Sequence, residues 1–149
     1  LETAIYRPRP SIATLSNAMD VGNPSNFVRI LEIFNNEFPT LKENLSAASV
    51  TDEETIATML KVYDETGYTL DPHGAVGYKA LADHLMDRPG QKGIVLETAH
   101  PVKFDSVSEI LEVSVETPPS VLDLLNKEKV ATEIEADQET VKEVILSRI

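Results

Sequence analysis

The 149-residue chain contains no cysteine and no tryptophan. Without thiols it has no disulfide framework and no thiolate-bound metal, which suits a cytoplasmic location. Positive charge is scarce: 13 Lys and Arg stand against 25 Asp and Glu, a net charge of −12. Binding to a phosphate backbone needs clustered cations, and these are scattered, so nucleic acid is not an expected partner. No apolar run approaches the roughly 20 residues that cross a bilayer, so no membrane partner is expected either. The opening L-E-T-A-I-Y-R-P-R-P lacks the apolar core of a signal peptide and begins without Met; a trimmed chain or a piece of a longer protein is expected. The three histidines, His73, His84 and His100, lie far apart without an H-E-x-x-H spacing, so no metal site is expected.

What remains is an ordinary globular composition, 42% hydrophobic and 26% charged. Residues 1–22, with Pro8 and Pro10, read as loop. Asn23 as N-cap and Pro24 at the first helical position open a helix with Phe27, Ile30, Leu31 and Phe34 on one face, which ends at Pro39. Short strands are expected at 45–50, 68–70 and 93–98, separated by two helices. The capping box Thr51/Glu54 opens the first, which turns Ile56, Leu60 and Tyr63 inward and stops at Gly67. Asp71 caps the second, with Pro72 at its first position, and Gly74, Ala75 and Gly77 allow close approach of another segment. The sequence Arg88-Pro89-Gly90 breaks it. The expected fold class is therefore α/β, a partial parallel sheet with flanking helices over residues 1–104. An α+β tail follows over residues 105–149. The tail combines short helices in S-V-S-E-I-L-E-V and P-P-S-V-L-D-L-L, an edge strand in V-A-T-E-I-E-A, and a terminal helix capped by Asp137.

Ligands of parallel α/β sheets sit beyond the carboxyl ends of the strands. Two such ends carry polar turns, Asp71-Pro72-His73-Gly74 and Thr98-Ala99-His100-Pro101, and adjacent strands would set both on one rim. Each residue also has an ordinary role: Asp71 as a helix cap, His100 bonded to a backbone carbonyl, Gly74 and Gly77 as packing glycines. His84 reads as a surface residue. Lys103 follows a strand end, where a lysine can form a Schiff base, but no evident desolvating neighbour surrounds it and it reads as solvent-facing.

Three segments, S-N-A-M-D-V-G-N-P-S-N-F (16–27), D-P-H-G-A-V-G (71–77) and E-T-A-H-P-V-K-F (97–104), resemble segments of the bacterial and fungal threonine synthase family, in the same order and at about the same spacing. The resemblance runs through essentially all 149 residues and implies the C-terminal portion of a fold-type II pyridoxal 5'-phosphate enzyme. Such an enzyme converts O-phospho-L-homoserine and water to L-threonine and phosphate. The family's Schiff-base lysine lies in an upstream Phe-Lys-Asp motif, so no catalytic residue is expected in this chain. Its partner would be the N-terminal part of the same polypeptide, and alone it would be inactive. By the resemblance Thr98 faces the pyridine nitrogen, and Asp71, His73 and Gly74 border the cofactor. The family commonly carries Thr where this chain has Gly74. Asp20, Asn23, Ser25 and Asn26 would line the substrate pocket. The alternatives are another fold-type II lyase or dehydratase, and a non-catalytic acidic α/β interaction domain.

Overall fold

A computed structural model describes residues 3–148. Its helices are α1 (Phe27–Ile33), α2 (Phe38–Asn44), α3 (Asp52–Thr66), α4 (Pro72–Met86), α5 (Asp105–Leu111), α6 (Pro119–Leu125) and α7 (Gln138–Leu146), with 3₁₀ turns at Asn17–Met19 and Pro101–Lys103. Two compact units result, Leu1–Glu116 and Thr117–Ile149.

Local caps set the two long helices. The Thr51 hydroxyl accepts the Glu54 N–H at 3.2 Å and the Glu54 carboxylate accepts the Thr51 N–H at 2.9 Å, so two otherwise unpaired donors of α3 are satisfied reciprocally. Gly67 ends α3 at φ +71°, in the left-handed region that favours glycine. Asp71 then caps α4 by accepting the His73 N–H at 2.8 Å, with Pro72 in the first turn.

The core of the first unit joins Met59 and Val62 of α3, Leu70, Ala75 of α4, and Val107 and Leu111 of α5. Tyr63, Phe104, Ile110, Val113 and Val115 pack around it. The buried face of α3 is Thr55, Thr58, Met59 and Val62, a helical i, i+3, i+4, i+7 set. It lies one residue away from the expected face: Leu60 is 46% exposed, whereas Met59 is fully buried. Two threonines can be buried because each hydroxyl donates to the carbonyl four residues earlier, Thr55 to Thr51 at 2.8 Å and Thr58 to Glu54 at 2.7 Å.

The expected partial parallel sheet is not formed: the described residues contain no strand, and neither do those of the α+β tail. A strand exists only through ladder bonds to a neighbour, and the segments 45–50, 68–70, 93–98 and 130–136 make none. The segment 93–98 uses its period of two differently, by lying along α4. Gly93 sits against Leu81, Val95 against Gly77 and Glu97 over Gly74. The alternate residues Ile94 and Leu96 stay 87% and 81% exposed. A buried parallel strand would hide both faces; this segment hides one.

Two further boundaries differ from expectation. Asn23 is not a helix cap, because its Oδ1 accepts the Tyr6 hydroxyl at 3.0 Å and α1 starts only after Asn26. Pro39 does not close a helix but sits in the first turn of α2, where its missing N–H costs nothing. Asn35 and Asn36, at φ 52° and 59°, turn the chain between α1 and α2. In the second unit Asp137 caps α7 by accepting the Thr140 N–H at 2.9 Å. Among the described residues no helix is long and apolar enough to cross a membrane.

Truncating Met59 to Ala leaves a cavity and is expected to cost about 2–5 kcal/mol in urea unfolding. Leu60→Ala, one residue along the same helix, is expected to cost less than about 1 kcal/mol. Equal losses at the two positions would show that the face of α3 has been placed wrongly.

Candidate functional site

The capped end of α4 carries a small polar cluster. Asp71 is completely buried. Its Oδ1 accepts the backbone N–H of His73 at 2.8 Å and lies 2.6 Å from His73 Nδ1. A carboxylate only accepts, so the ring proton is assigned to Nδ1. The His73 ring packs on Phe104 with centroids 4.8 Å apart, which ties the cap to the segment leading into α5.

The Asp71 carboxyl also lies within hydrogen-bonding reach of the Glu97 carboxyl. Treated as plain acceptors, Asp71 Oδ2 and Glu97 Oε1 are both buried without a donor; one proton between the carboxyl groups satisfies both. The electrostatics favour that arrangement. Burial first, then the hydrogen bond and charge of Asp71, push the Glu97 carboxyl up to about 7. Burial by itself would raise Asp71 too, but hydrogen bonds from Glu97 and His73 more than offset it and hold Asp71 below the usual carboxylate range. Two facing carboxyls with separated affinities can hold one proton near neutral pH. Gly74 provides the room. A Cβ there would stand 2.1 and 2.3 Å from the Glu97 carboxyl oxygens.

Glu97 is also where two clefts meet. One, of about 540 Å³, is lined by Tyr68, Thr69, Glu97, Thr98, Ala99, His100, Pro101 and residues 114–116. Thr98 is exposed there. The other runs past Tyr68, Leu70, Tyr78, Val95 and Glu97. His100 does not bond a carbonyl as expected. Its Nδ1 accepts the Val102 N–H at 3.2 Å and so caps the turn Pro101–Lys103. Lys103 is exposed and does not line the Thr98 cleft.

Of the residues singled out in the sequence, Asp71, His73, Gly74 and Thr98 thus converge through Glu97, which the sequence reading passed over. A signal for it was present: a lone acid at the end of the apolar run G-I-V-L. The loop residues stand elsewhere. Asp20 accepts the Thr14 N–H at 2.9 Å and the Thr14 hydroxyl at 2.7 Å, and lines a separate cleft with Arg9, Ser11 and Ser49. Asn23 is held by Tyr6. Ser25 and Asn26 are exposed. None of these four lines the Thr98 cleft.

The raised Glu97 affinity ties stability to pH. Between about 4.3, the ordinary Glu value, and about 7, the folded chain keeps a proton that the unfolded chain releases. This contribution is complete below the lower value and is lost as pH rises through 7. The stability of the parent relative to Glu97→Gln is therefore expected to fall by roughly 1–2 kcal/mol from pH 5 to 8, the shift being discounted for partial exposure. Urea unfolding of both chains across that range checks it, and parallel pH profiles would refute the carboxyl pairing.

Residues 74–145 match the family described as threonine synthase, C-terminal. The threonine synthase of Escherichia coli is 39% identical over 143 residues, 95% of this chain and 32% of that protein. Its crystal structure superposes with a TM-score of 0.76 at 38% identity, covering 99% of this chain and 34% of that one. The pyridoxal phosphate-bound threonine synthase of Brucella melitensis superposes with a TM-score of 0.71 at 28% identity, over 97% of this chain and 36% of that one. The chain thus spans about a third of the length of the relatives it matches. Sequence motifs, family match and superposition agree, and the chain belongs to the threonine synthase family, whose C-terminal part it matches.

Proposed function

We propose that the chain is the C-terminal part of a pyridoxal phosphate-dependent threonine synthase that converts O-phospho-L-homoserine and water to L-threonine and phosphate. The observation that carries the reading is the Thr98 cleft, considered with the cofactor named in the Brucella melitensis relative. At about 540 Å³ it falls within the range of small-molecule sites, about 300–1,000 Å³.

The residues present fit one end of the cofactor. Thr98 offers a neutral hydroxyl to the pyridine nitrogen, which does not force that nitrogen to stay protonated. Glu97, next to it, shares its proton with Asp71 and so adds little negative charge. No Lys or Arg lines this cleft, so neither a phosphate-binding cation nor a covalent anchor is supplied here. Both are assigned to the part of the polypeptide upstream of Leu1. When bound, the cofactor supplies the electron sink for phosphate elimination and water addition. This chain's residues orient it: Thr98 at the ring nitrogen, with Asp71, His73 and Gly74 holding the segment that carries Thr98. Asp20, Asn23, Ser25 and Asn26, in their own cleft and loop, are proposed to meet the substrate. The cysteine-free composition suits a cytoplasmic location, which belongs to the same proposal.

Borohydride reduction of the chain after incubation with pyridoxal phosphate, followed by mass spectrometric mapping, tests the division of labour. Scattered substoichiometric pyridoxyl-lysine is expected, together with no threonine formation from O-phospho-L-homoserine. One stoichiometric label on Lys103, or measurable turnover by the chain alone, would overturn it.

A further inference from the structure

The segment 93–98 is held to α4 at three points. Two of them, Gly93 on Leu81 and Val95 beside Gly77, are apolar contacts, which have little directional preference. The third is different. The Glu97 carboxyl sits over Gly74, where a Cβ would come within 2.5 Å of three of its atoms. It faces the fully buried Asp71. Asp71 is in turn fixed on its other side by the His73 ring at 2.6 Å and the His73 N–H at 2.8 Å. Each member orients the next, from His73 to Asp71 to Glu97, and the following residue in the chain is Thr98.

We propose that Glu97 is a positioning residue for Thr98: its carboxyl, seated over Gly74 against Asp71, pins the end of the 93–98 segment to the first turn of α4 and fixes where the Thr98 hydroxyl stands in the cleft. The seat is proton-dependent, since two ionised carboxylates so close would repel and neither buried oxygen would have a donor. The other titratable groups around Glu97 are Tyr68 and Tyr78 along the second cleft and His100 and Glu116 along the first. The functional weight of the inference rests on Thr98 being the contact to the pyridine nitrogen.

Three chains separate the possibilities: the parent, Glu97→Gln and Gly74→Ala. The amide of Glu97→Gln keeps a neutral donor toward Asp71. Gly74→Ala fills the seat, yet only the flexible end of Glu97 has to move, so the helix should remain; circular dichroism checks this. The first readout is the Thr98 side-chain rotamer, from three-bond NMR couplings between pH 5 and 8.5. One rotamer is expected in the parent below about 7, averaging above it. Glu97→Gln should keep that rotamer throughout and Gly74→Ala should average throughout. A generic loss of stability would not give rescue by the amide together with averaging in a helix that is otherwise intact. Should Gly74→Ala fail to fold, the pH contrast between the parent and Glu97→Gln still decides. A Thr98 rotamer indifferent to pH, or averaging in Glu97→Gln as in the parent, would overturn the proposal. The second readout is the dissociation constant of pyridoxal phosphate, from the Thr98 methyl resonance. Relative to Glu97→Gln, the parent should weaken about tenfold from pH 6 to 8.5. If the rotamers behave as expected but pyridoxal phosphate never perturbs Thr98, the positioning role stands and the ring-nitrogen reading falls.

Discussion

Taking a carboxylate wholly out of water costs several kcal/mol unless hydrogen bonds and favourable charge replace its hydration, and much of the first unit is organised around doing this for Asp71. The N–H groups at the start of α4 lack intrahelical partners, and Asp71 accepts from one of them at His73. The helix N-terminus also favours negative charge. The imidazole takes the same oxygen, and the Glu97 proton completes the second. Moving any of these groups would strand the carboxylate, so α4, the 93–98 segment and Phe104 beside His73 are bound to one another through a single buried acid.

The apolar packing is consistent with that constraint. Met59 and Val62 of α3 meet Ala75, one turn into α4, and Val107 and Leu111 of α5 close the other side. Small residues near the start of α4 serve two neighbours: Ala75 is buried in the core while Gly74 admits the Glu97 carboxyl. A larger residue at 74 would expel the carboxyl, and a larger one at 75, itself fully buried, would press into the core. Core and polar cluster therefore share one helical turn, and substitutions at these neighbouring positions should not act independently.

The parts of this arrangement that are local in sequence were legible. The Thr51/Glu54 box, Gly67, the Asp71-Pro72 start and the Asp137 cap all involve residues within a few positions of each other, and all form as expected. Partners distant in sequence were harder to foresee. Thr55 and Thr58 count as polar in any periodicity, yet their hydroxyls are satisfied within the helix and can be buried; the inward face of α3 was displaced by one residue for that reason. Pro39 is compatible with either end of a helix, and the N-cap of α2, Glu37, makes no side-chain cap bond that would have shown which. The run G-I-V-L-E has a strand's period, but a period does not say whether a strand or a helix lies opposite. Here the odd positions meet α4, and no ladder forms.

The same distinction bears on the site. Asp71, His73 and Thr98 were visible through their motifs; what joins them, Glu97, opens the segment E-T-A-H-P-V-K-F, yet its role shows only beside Gly74, 23 positions earlier. The absence of a glycine side chain at 74 and the presence of an acid at 97 are two halves of one feature. The cleft they support carries carboxyl groups at 97 and 116 and no lysine or arginine. A phosphate would meet no cation in such a lining, which the uncharged end of a heteroaromatic ring does not need. By this electrostatic argument the cleft can serve the ring-nitrogen end of a phosphorylated cofactor and is unsuited to its phosphate, which agrees with a chain that represents about a third of its relatives' length.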